Sequence, residues 1–517
     1  MGIKAIFVLC VLVLMLVTLI RDRMRPGMVL LTGAVLFLCT GILTSKEMLE
    51  GFSNKGMITV AMLFLVSEGI RRSGLLEKLI RKLLPSNGAS ISKILLRMLP
   101  PVACISAFLN NTPVVVIFAP IIKRWAERMH LSPTKFLIPL SYATILGGSM
   151  TLIGSSTNLV LYGMAVDAGL PSFGMFEIGK LGLPLAIIGL AYIVFSSKYL
   201  LPEERLRNLD DLETEEEKRL HRIEVVLGPR FPAINRKIFD FDFKQKYGAT
   251  ILEVHRGGTT ILMKDMRKER FRGGDTLVLL SDDSFMKNWG DSSFFLVVSN
   301  GHERNTAMPV WKRYVALALM FFMIGGAFVF GLPGMEHTIP GIKLDMFFFV
   351  CITTIIMAWL KIFPARKYTK YISWDILVTI ACAFAISKAM QNSGLADAIA
   401  KFAINACNAQ NPYILLIATF IVTNFFTELV TNNAAVALGF PISLSLAGQL
   451  GVNPMAFVFT TLIAASSSFT TPIGYQTNMI VQGFGNYKFS DFTKFGFPLN
   501  FISLIVTVAL APLLWPL

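Results

Sequence analysis

The chain has 517 residues, of which 54% are apolar and only 16% charged, with a mean hydropathy of +0.61. A soluble domain carries about 25% charged residues, so this composition excludes an ordinary water-soluble fold and leaves a polytopic membrane protein, with length for about ten or eleven spans and a modest soluble piece. The net charge of +15 does not mark a nucleic-acid binder, because the basic residues gather in loops beside apolar runs, as positive-inside topology requires.

Ile3–Ile20 is an apolar run ending in Arg21, Arg23 and Arg25 instead of a small-residue cleavage site, which predicts a retained helix. Gly27–Leu43 and Met57–Ile70 follow as spans. Arg71, Arg72, Lys78, Arg81 and Lys82 mark the cytoplasmic side, as do Lys123, Arg124, Arg128 and Lys135. Between these clusters stands Phe108-Leu109-Asn110-Asn111-Thr112-Pro113, flanked by the apolar runs Leu99–Leu109 and Val114–Ile122. Each run is about ten residues, half of what a bilayer needs. The pattern predicts two half-length helices forming a re-entrant hairpin that enters from the cytoplasm; one spanning helix kinked at Pro113 is the plainer alternative. Phe136–Val166 then crosses outward through a polar break, Gly154-Ser155-Ser156-Thr157-Asn158, and Leu181–Leu200 returns.

From 202 to 305 the character changes. Glu203, Glu204, Asp210, Asp211 and Glu213–Glu217 with interleaved basic residues make a solvated linker. Alternating stretches at Glu224–Leu227, Ala249–Val254, Thr259–Met263 and Thr276–Leu280, separated by Gly-containing turns, predict a small α/β domain of short strands. No Gly-x-Gly-x-x-Gly is present, so a full dinucleotide-binding half is not expected.

The second membrane half, 306–517, repeats the first, 1–201. Val315–Phe330, Leu344–Phe363 and Ile372–Met390 lead to a second tip, Thr431-Asn432-Asn433, between Tyr413–Leu429 and Ala434–Leu446. Met455–Val481 carries the second break, Thr471-Pro472-Ile473-Gly474-Tyr475-Gln476-Thr477-Asn478, and Phe497–Leu514 closes the series. Ser73-Gly74-Leu75 is echoed by Ser393-Gly394-Leu395, and partners stand about 320 residues apart throughout. The Arg366–Lys370 loop is cytoplasmic on the same charge rule, so the copies run in opposite senses and the chain reads as two inverted repeats. Its six cysteines and five histidines are scattered without metal or disulfide spacing.

The tips are neutral hydrogen-bonding groups. Half-helix N-termini at Thr112-Pro113 and Asn433-Ala434 can face an anion, and the amide and hydroxyl oxygens suit a hard cation. The same groups can instead satisfy one another and cap the broken helices. Glu428 is an intramembrane acid and a site candidate, with Lys388 at a comparable level as a possible partner; Glu68 and Asp375 are expected near the interfaces.

The two Asn/Thr tips and the two polar breaks together resemble the divalent anion:sodium symporter family. That resemblance implies a secondary transporter with no enzymatic role: two sodium ions, an anion between them, a homodimer, and a transport domain sliding elevator fashion. Carried over, one sodium site uses Asn110, Asn111, Gly154 and Asn158, and the other Thr431, Asn432, Thr471 and Asn478. The anion meets Asn111, Thr112, Thr157, Asn432, Asn433 and Thr477. The first break lacks the prolines of dicarboxylate carriers, which places sulfate ahead of a dicarboxylate. A cation/proton antiporter or arsenite-type efflux carrier is the first alternative, and a non-transporting membrane sensor the second. In the inserted domain, Pro229-Arg230-Phe231-Pro232 and Phe271-Arg272-Gly273-Gly274-Asp275-Thr276-Leu277 resemble the TrkA-C (RCK-C) module. This implies a cytoplasmic regulatory domain taking a small ligand such as a nucleotide.

Overall fold

The computed structural model describes residues 2–21, 24–85, 90–171, 173–203, 221–228, 231–257, 259–262, 266–267, 269–281, 285, 289, 292, 294–300, 308–330, 344–406 and 411–517. The acidic linker expected at 203–217 lies almost wholly outside these residues, as do Cys407 and the Pro229-Arg230 pair.

Away from water a chain must satisfy its own backbone, which helices do within themselves. The first half forms α1 (Ile3–Ile20), α2 (Pro26–Cys39), α3 (Ser45–Glu50), α4 (Lys55–Arg72), α5 (Leu75–Leu83), α6 (Ile91–Ser106), α7 (Asn111–Arg128), α8 (Thr134–Gly148), α9 (Ser156–Asp167) and α10 (Gly179–Leu200). An inserted sheet follows: β1 (His221–Leu227), the short helix α11 (Phe243–Tyr247), β2 (Thr250–Arg256), β3 (Thr259–Leu262), β4 (Thr276–Ser281) and β5 (Phe295–Asn300). The second half forms α12 (Val310–Val329), α13 (Met346–Trp359), α14 (Trp374–Asn392), α15 (Leu395–Ala406), α16 (Pro412–Leu429), α17 (Asn432–Leu450), α18 (Pro454–Ser466), α19 (Gln476–Gly485) and α20 (Phe489–Leu514). Among the described residues, seven helices are long and apolar enough to cross a membrane, and four shorter ones are comparably apolar.

The duplication is visible in local detail. Gly74 and Gly394 both turn the chain with positive φ, +66° and +70°. The preceding serines, Ser73 and Ser393, accept from the amides of Leu75 and Leu395 in the same way, at 3.3 and 3.4 Å. The copies also exchange partners. Helix α2 packs on α14, while α13, the counterpart of α2, packs on α4. Helix α9 packs on α17 and α18, and its counterpart α19 packs on α7 and α8. The same packing thus recurs between the halves with the partners exchanged.

Two expectations about the hairpins are corrected. The arms of the first are not ten-residue pieces, since α6 and α7 have 16 and 18 residues; those of the second, read as Tyr413–Leu429 and Ala434–Leu446, form α16 and α17 with 18 and 19. Pro100, Pro101, Pro120 and Pro441 lie inside these helices without ending them; neighbouring helices in an apolar medium hold such sites together. The polar breaks also begin and end earlier than read, and each is slightly longer. Helix α8 stops at Gly148 and α9 restarts at Ser156, so Ser156, Thr157 and Asn158 are the first turn of a helix. Likewise Gln476, Thr477 and Asn478 open α19.

The sheet is antiparallel, in the order β3-β2-β4-β1-β5. Strand β5 was not foreseen. One face is closed by an aromatic cluster in which Phe231 stands against Phe241, Phe243, Tyr247, Phe271 and Phe295. The other face rests on the helices. Val226 joins the main helical core, and a Cβ on Gly483 of α19 would stand 2.6 Å from Thr276 Oγ1 and 3.2 Å from the Gly274 carbonyl. Asp275 closes the Arg272–Asp275 turn by accepting from the Arg272 amide and from the Arg256 fork. That turn presents Gly274 (φ +85°) to Met479 of α19. On α7, the buried Lys123 ammonium bonds both oxygens of Glu224 at 2.9 and 2.8 Å.

Glu224→Ala leaves that ammonium, among the described residues, with Glu127 at 4.0 Å and the Phe484 ring at 5.8 Å. Loss of a charged hydrogen bond to a buried group costs about 1–3 kcal/mol. The expected result is a lowered melting temperature, measured by differential scanning fluorimetry, which Glu224→Asp largely restores.

Candidate ion and anion site

The two hairpin tips and the two breaks supply four helix N-termini, those of α7, α9, α17 and α19. Asn110 and Thr431 are the residues ahead of α7 and α17, both in extended backbone. The copies solve the first turn differently. Pro113 occupies the third position of α7, where an amide would have no helical partner. Its counterpart, Ala434, keeps the amide and gives it to Thr431 Oγ1 at 3.4 Å. Ser155 caps α9 through the Thr157 amide, whereas α7 and α19, preceded by Asn110 and Tyr475, have no side-chain cap. Their first-turn amides are left for another acceptor.

Side-chain hydrogen bonds link the four ends in two pairs. Thr112 Oγ1 reaches Gln476 Oε1 at 3.4 Å, and Asn111 Nδ2 donates to the Tyr475 hydroxyl at 2.7 Å. Ser155 lies beside that hydroxyl, and Thr157 Oγ1 donates to Asn433 Oδ1 at 3.0 Å. No lysine or arginine takes part. Asn111, Thr157, Asn432 and Asn433 are buried, Thr112 and Asn110 half-buried, and Gln476 exposed. A narrow cleft, partly open to the outside, runs from Ser67 on α4 and Met323 on α12 to Asn110 and Ser156.

Behind each tip lies an oxygen-lined cradle, built bond for bond alike. Ser106 Oγ donates to Asn111 Oδ1 at 2.7 Å, and Thr427 Oγ1 to Asn432 Oδ1 at 2.8 Å. Asn158 Nδ2 ties the Gly148 and Thr151 carbonyls at 2.9 and 2.7 Å, as Asn478 Nδ2 ties those of Ser468 and Thr471 at 2.8 and 3.2 Å. The Thr151 hydroxyl donates to the Ala107 carbonyl, and that of Thr471 to the Glu428 carbonyl. Gly154 is required here, because a Cβ would stand 2.6 Å from the Gly148 carbonyl and 3.0 Å from that of Ala107. At the matching Gly474 a Cβ would meet Ser468 Oγ and the Thr427 carbonyl. Two buried oxygens at these cradles, Asn158 Oδ1 and Ser468 Oγ, have no hydrogen-bond partner. Leaving such atoms dry and unpaired is costly, and an oxygen-only set of this kind fits a hard monovalent cation.

Every expected site residue therefore lies at a tip or a break, with Gly154, Asn158, Thr471 and Asn478 at the cradles and Thr112 and Thr157 in the joining bonds. Thr477 is held inside the packing, 2.9 Å from Ser141 Oγ. The pairing of Glu428 with Lys388 is not found. The Glu428 carboxylate accepts from the Thr470 and Thr471 amides and from Asn500 Nδ2, while Lys388 stands in the field of Glu47 and Asp167. Glu68 is buried and held by Arg71 and Arg72. Sequence reasoning missed Tyr475, Gln476, Ser141 and the Ser106/Thr427 pair. The last had a signal, since both are hydroxyls five residues ahead of the tip asparagine at the repeat spacing.

The sequence model of the citrate transporter family matches residues 12–462, and again residues 342–516. The chain belongs to this family. It is 29% identical to an uncharacterized transporter of Synechocystis over 98% of this chain and 96% of that one. It is 35% identical to sodium/sulfate cotransporter 2 of Chlamydomonas reinhardtii over 43% of this chain and 25% of that one. Among solved structures it resembles the YdaH transporter of Alcanivorax borkumensis, with a TM-score of 0.52 and 13% identity, over 95% of this chain and 100% of that one. This last likeness is one of fold. Membership of this family makes the chain a transporter, and its several long apolar helices make it a multi-pass membrane protein.

Gly154→Ala pushes a methyl group into two backbone carbonyls, an overpacking that costs about 1–3 kcal/mol. The expected outcome is loss of part of the sodium-dependent rise in melting temperature of the purified protein, compared at equal ionic strength in NaCl and KCl.

Proposed function

We propose that the protein is a sodium-coupled secondary transporter that carries a small divalent anion inward, sulfate ahead of a dicarboxylate. The observation that carries this reading is the linking of four helix N-termini in two pairs by neutral side chains, with Ser155 of one pair beside Tyr475 of the other. Each end contributes roughly half a positive charge, so four amount to about two, matching a dianion without any lysine or arginine. The cradles support two cation positions, one at Asn110, Asn111, Gly154 and Asn158 and one at Thr431, Asn432, Thr471 and Asn478. Sodium there supplies further positive charge close to the anion. These side chains orient the cation and shield it from lipid, and Asn111, Thr112, Thr157, Asn432, Asn433 and Thr477, joined by Gln476, receive the anion.

Sulfate is favoured by the similarity to the algal sodium/sulfate cotransporter and by the proline-poor first break. The citrate-transporter description of the family makes a polycarboxylate the runner-up. A second reading, proton-coupled exchange or arsenite-type efflux, is favoured by Glu428, a half-buried acid beside the second break without a basic partner among the described residues.

Motion of the site as one body is supported by bonds that cross between repeats. Besides the tip bonds, Ser141 Oγ lies 2.7 Å from Asn478 Oδ1, and the Tyr142 hydroxyl donates to the Phe469 carbonyl. We place the hairpins with α8, α9, α18 and α19 in a transport unit. It slides elevator fashion against α2, α4, α12, α13 and α14 within a homodimer. The sheet rests on the end of α7 that carries Lys123, Arg124 and Arg128, which supports a cytoplasmic location. By gripping α7 and α19 it is placed to regulate transport, with a small cytoplasmic ligand as effector.

Reconstituted protein should accumulate labelled sulfate under an inward sodium gradient, with succinate and citrate competing more weakly. Asn111→Ala and Asn432→Ala each remove a cradle oxygen and should raise the sodium concentration for half-maximal uptake by about tenfold. Uptake driven by a proton gradient alone, indifferent to sodium, would establish the second reading instead.

A further inference from the structure

The two cradles match in almost every bond, so their one large difference is informative. Where the first repeat has Ala107, the second has Glu428, and both offer their carbonyl to the threonine of the break. In the first repeat the Met150 amide simply continues the turn to the Gly147 carbonyl at 3.0 Å. In the second, the corresponding amide of Thr470 and the next one, of Thr471, both leave the helix and donate to the two oxygens of the Glu428 carboxylate, each at 2.8 Å. Asn500 on α20 donates a third bond at 2.9 Å and a further one to Thr470 Oγ1 at 2.6 Å. Asn500 is 8% exposed, and its Oδ1 has no partner.

The hydrogen-bond partners of the carboxylate are thus neutral donors, two backbone amides and one side-chain amide. Among the described residues no lysine, arginine or histidine is paired with it. A half-buried charge of this kind is tolerable when a counter-charge lies close. Its bonding partners, Thr470 and Thr471, form the wall of the second cradle, since the Thr471 carbonyl is tied there by Asn478.

We propose that Glu428 is a positioning residue that makes the two cation sites unequal: it braces the second break in the cradle conformation and gives that site a fixed negative charge the first site lacks. The second site is then the tighter of the two and fills first, and the first site completes only when the anion is present to balance it. This rests on the sodium reading above and adds which residue sets the order of loading.

The test follows sodium-dependent thermal stabilisation of the purified protein, with sulfate uptake measured in parallel. Wild type should show a sodium response already without sulfate, and a second, weaker phase when sulfate is added. Glu428→Ala, which copies the first repeat, and Glu428→Gln, which keeps the shape and removes the charge, should each shift the first phase by about tenfold or more. The sulfate KM at saturating sodium should change less than threefold. Asn500→Ala removes one donor and leaves the charge, so its sodium response should stay within threefold of wild type. If Glu428→Ala does not fold, the Gln and Asn500 variants decide the matter. Absence of any sodium response in wild type defeats the sodium reading itself. A normal wild-type response that survives unchanged in Glu428→Gln overturns the role of Glu428 alone, as does an Asn500→Ala response shifted as far as that of Glu428→Gln.

Discussion

Everything in this protein is arranged around one constraint: helices that stop in an apolar medium must find partners for their end groups within the protein. Four helices begin near one another, at Asn111, Ser156, Asn432 and Gln476. Their solutions are partial and unequal. Ser155 and Thr431 cap two of the ends. Pro113 removes an amide from the third, and the fourth begins behind a tyrosine that caps nothing. The amides left over are donors free to meet an acceptor, and the bonded cradles behind them hold the helix ends in place.

The cradles show how small residues and amides divide the work. Gly148 leaves room for the Asn111 amide and Gly154 for the Gly148 and Ala107 carbonyls, while Asn158 and Asn478 tie carbonyls of the breaks through their nitrogens. The oxygen of Asn478 is engaged by Ser141, while that of Asn158 is left without a partner. Symmetry of sequence therefore does not give symmetry of chemistry, and the exchange of Ala107 for Glu428 is the plainest case.

The inserted sheet adds a second level of coupling. It does not hang from the membrane part by its ends alone. Its non-aromatic face is fitted to α7 and α19 through Glu224, Val226, Gly274 and Thr276, and the opposite ends of those same helices contribute two of the four N-termini. A shift at one end of a stiff helix is a shift at the other, so docking of the sheet and occupancy of the site share mechanical elements.

Much of this was written in the sequence. Apolar periodicity and length gave the helices, and the repeat at about 320 residues gave the pairing of tips and breaks. Asn/Thr clusters interrupting apolar runs gave the site, because polar groups are placed in an apolar segment only where something satisfies them. Strand β5 escaped notice, since a short apolar stretch among polar residues carries no period of its own. Helix ends were misread by several residues for a related reason. Ser156-Thr157-Asn158 has the composition of a loop, yet the packing of α9 on α17 and α18 continues the helix through it. What only the tertiary structure decided are the long-range partners. Glu428 faces two backbone amides and Asn500 instead of Lys388, and Asn111 faces Tyr475, 364 positions away. Residue type fixes what a side chain can bond, but which partner stands within 3 Å is set by how the two halves of the chain pack together.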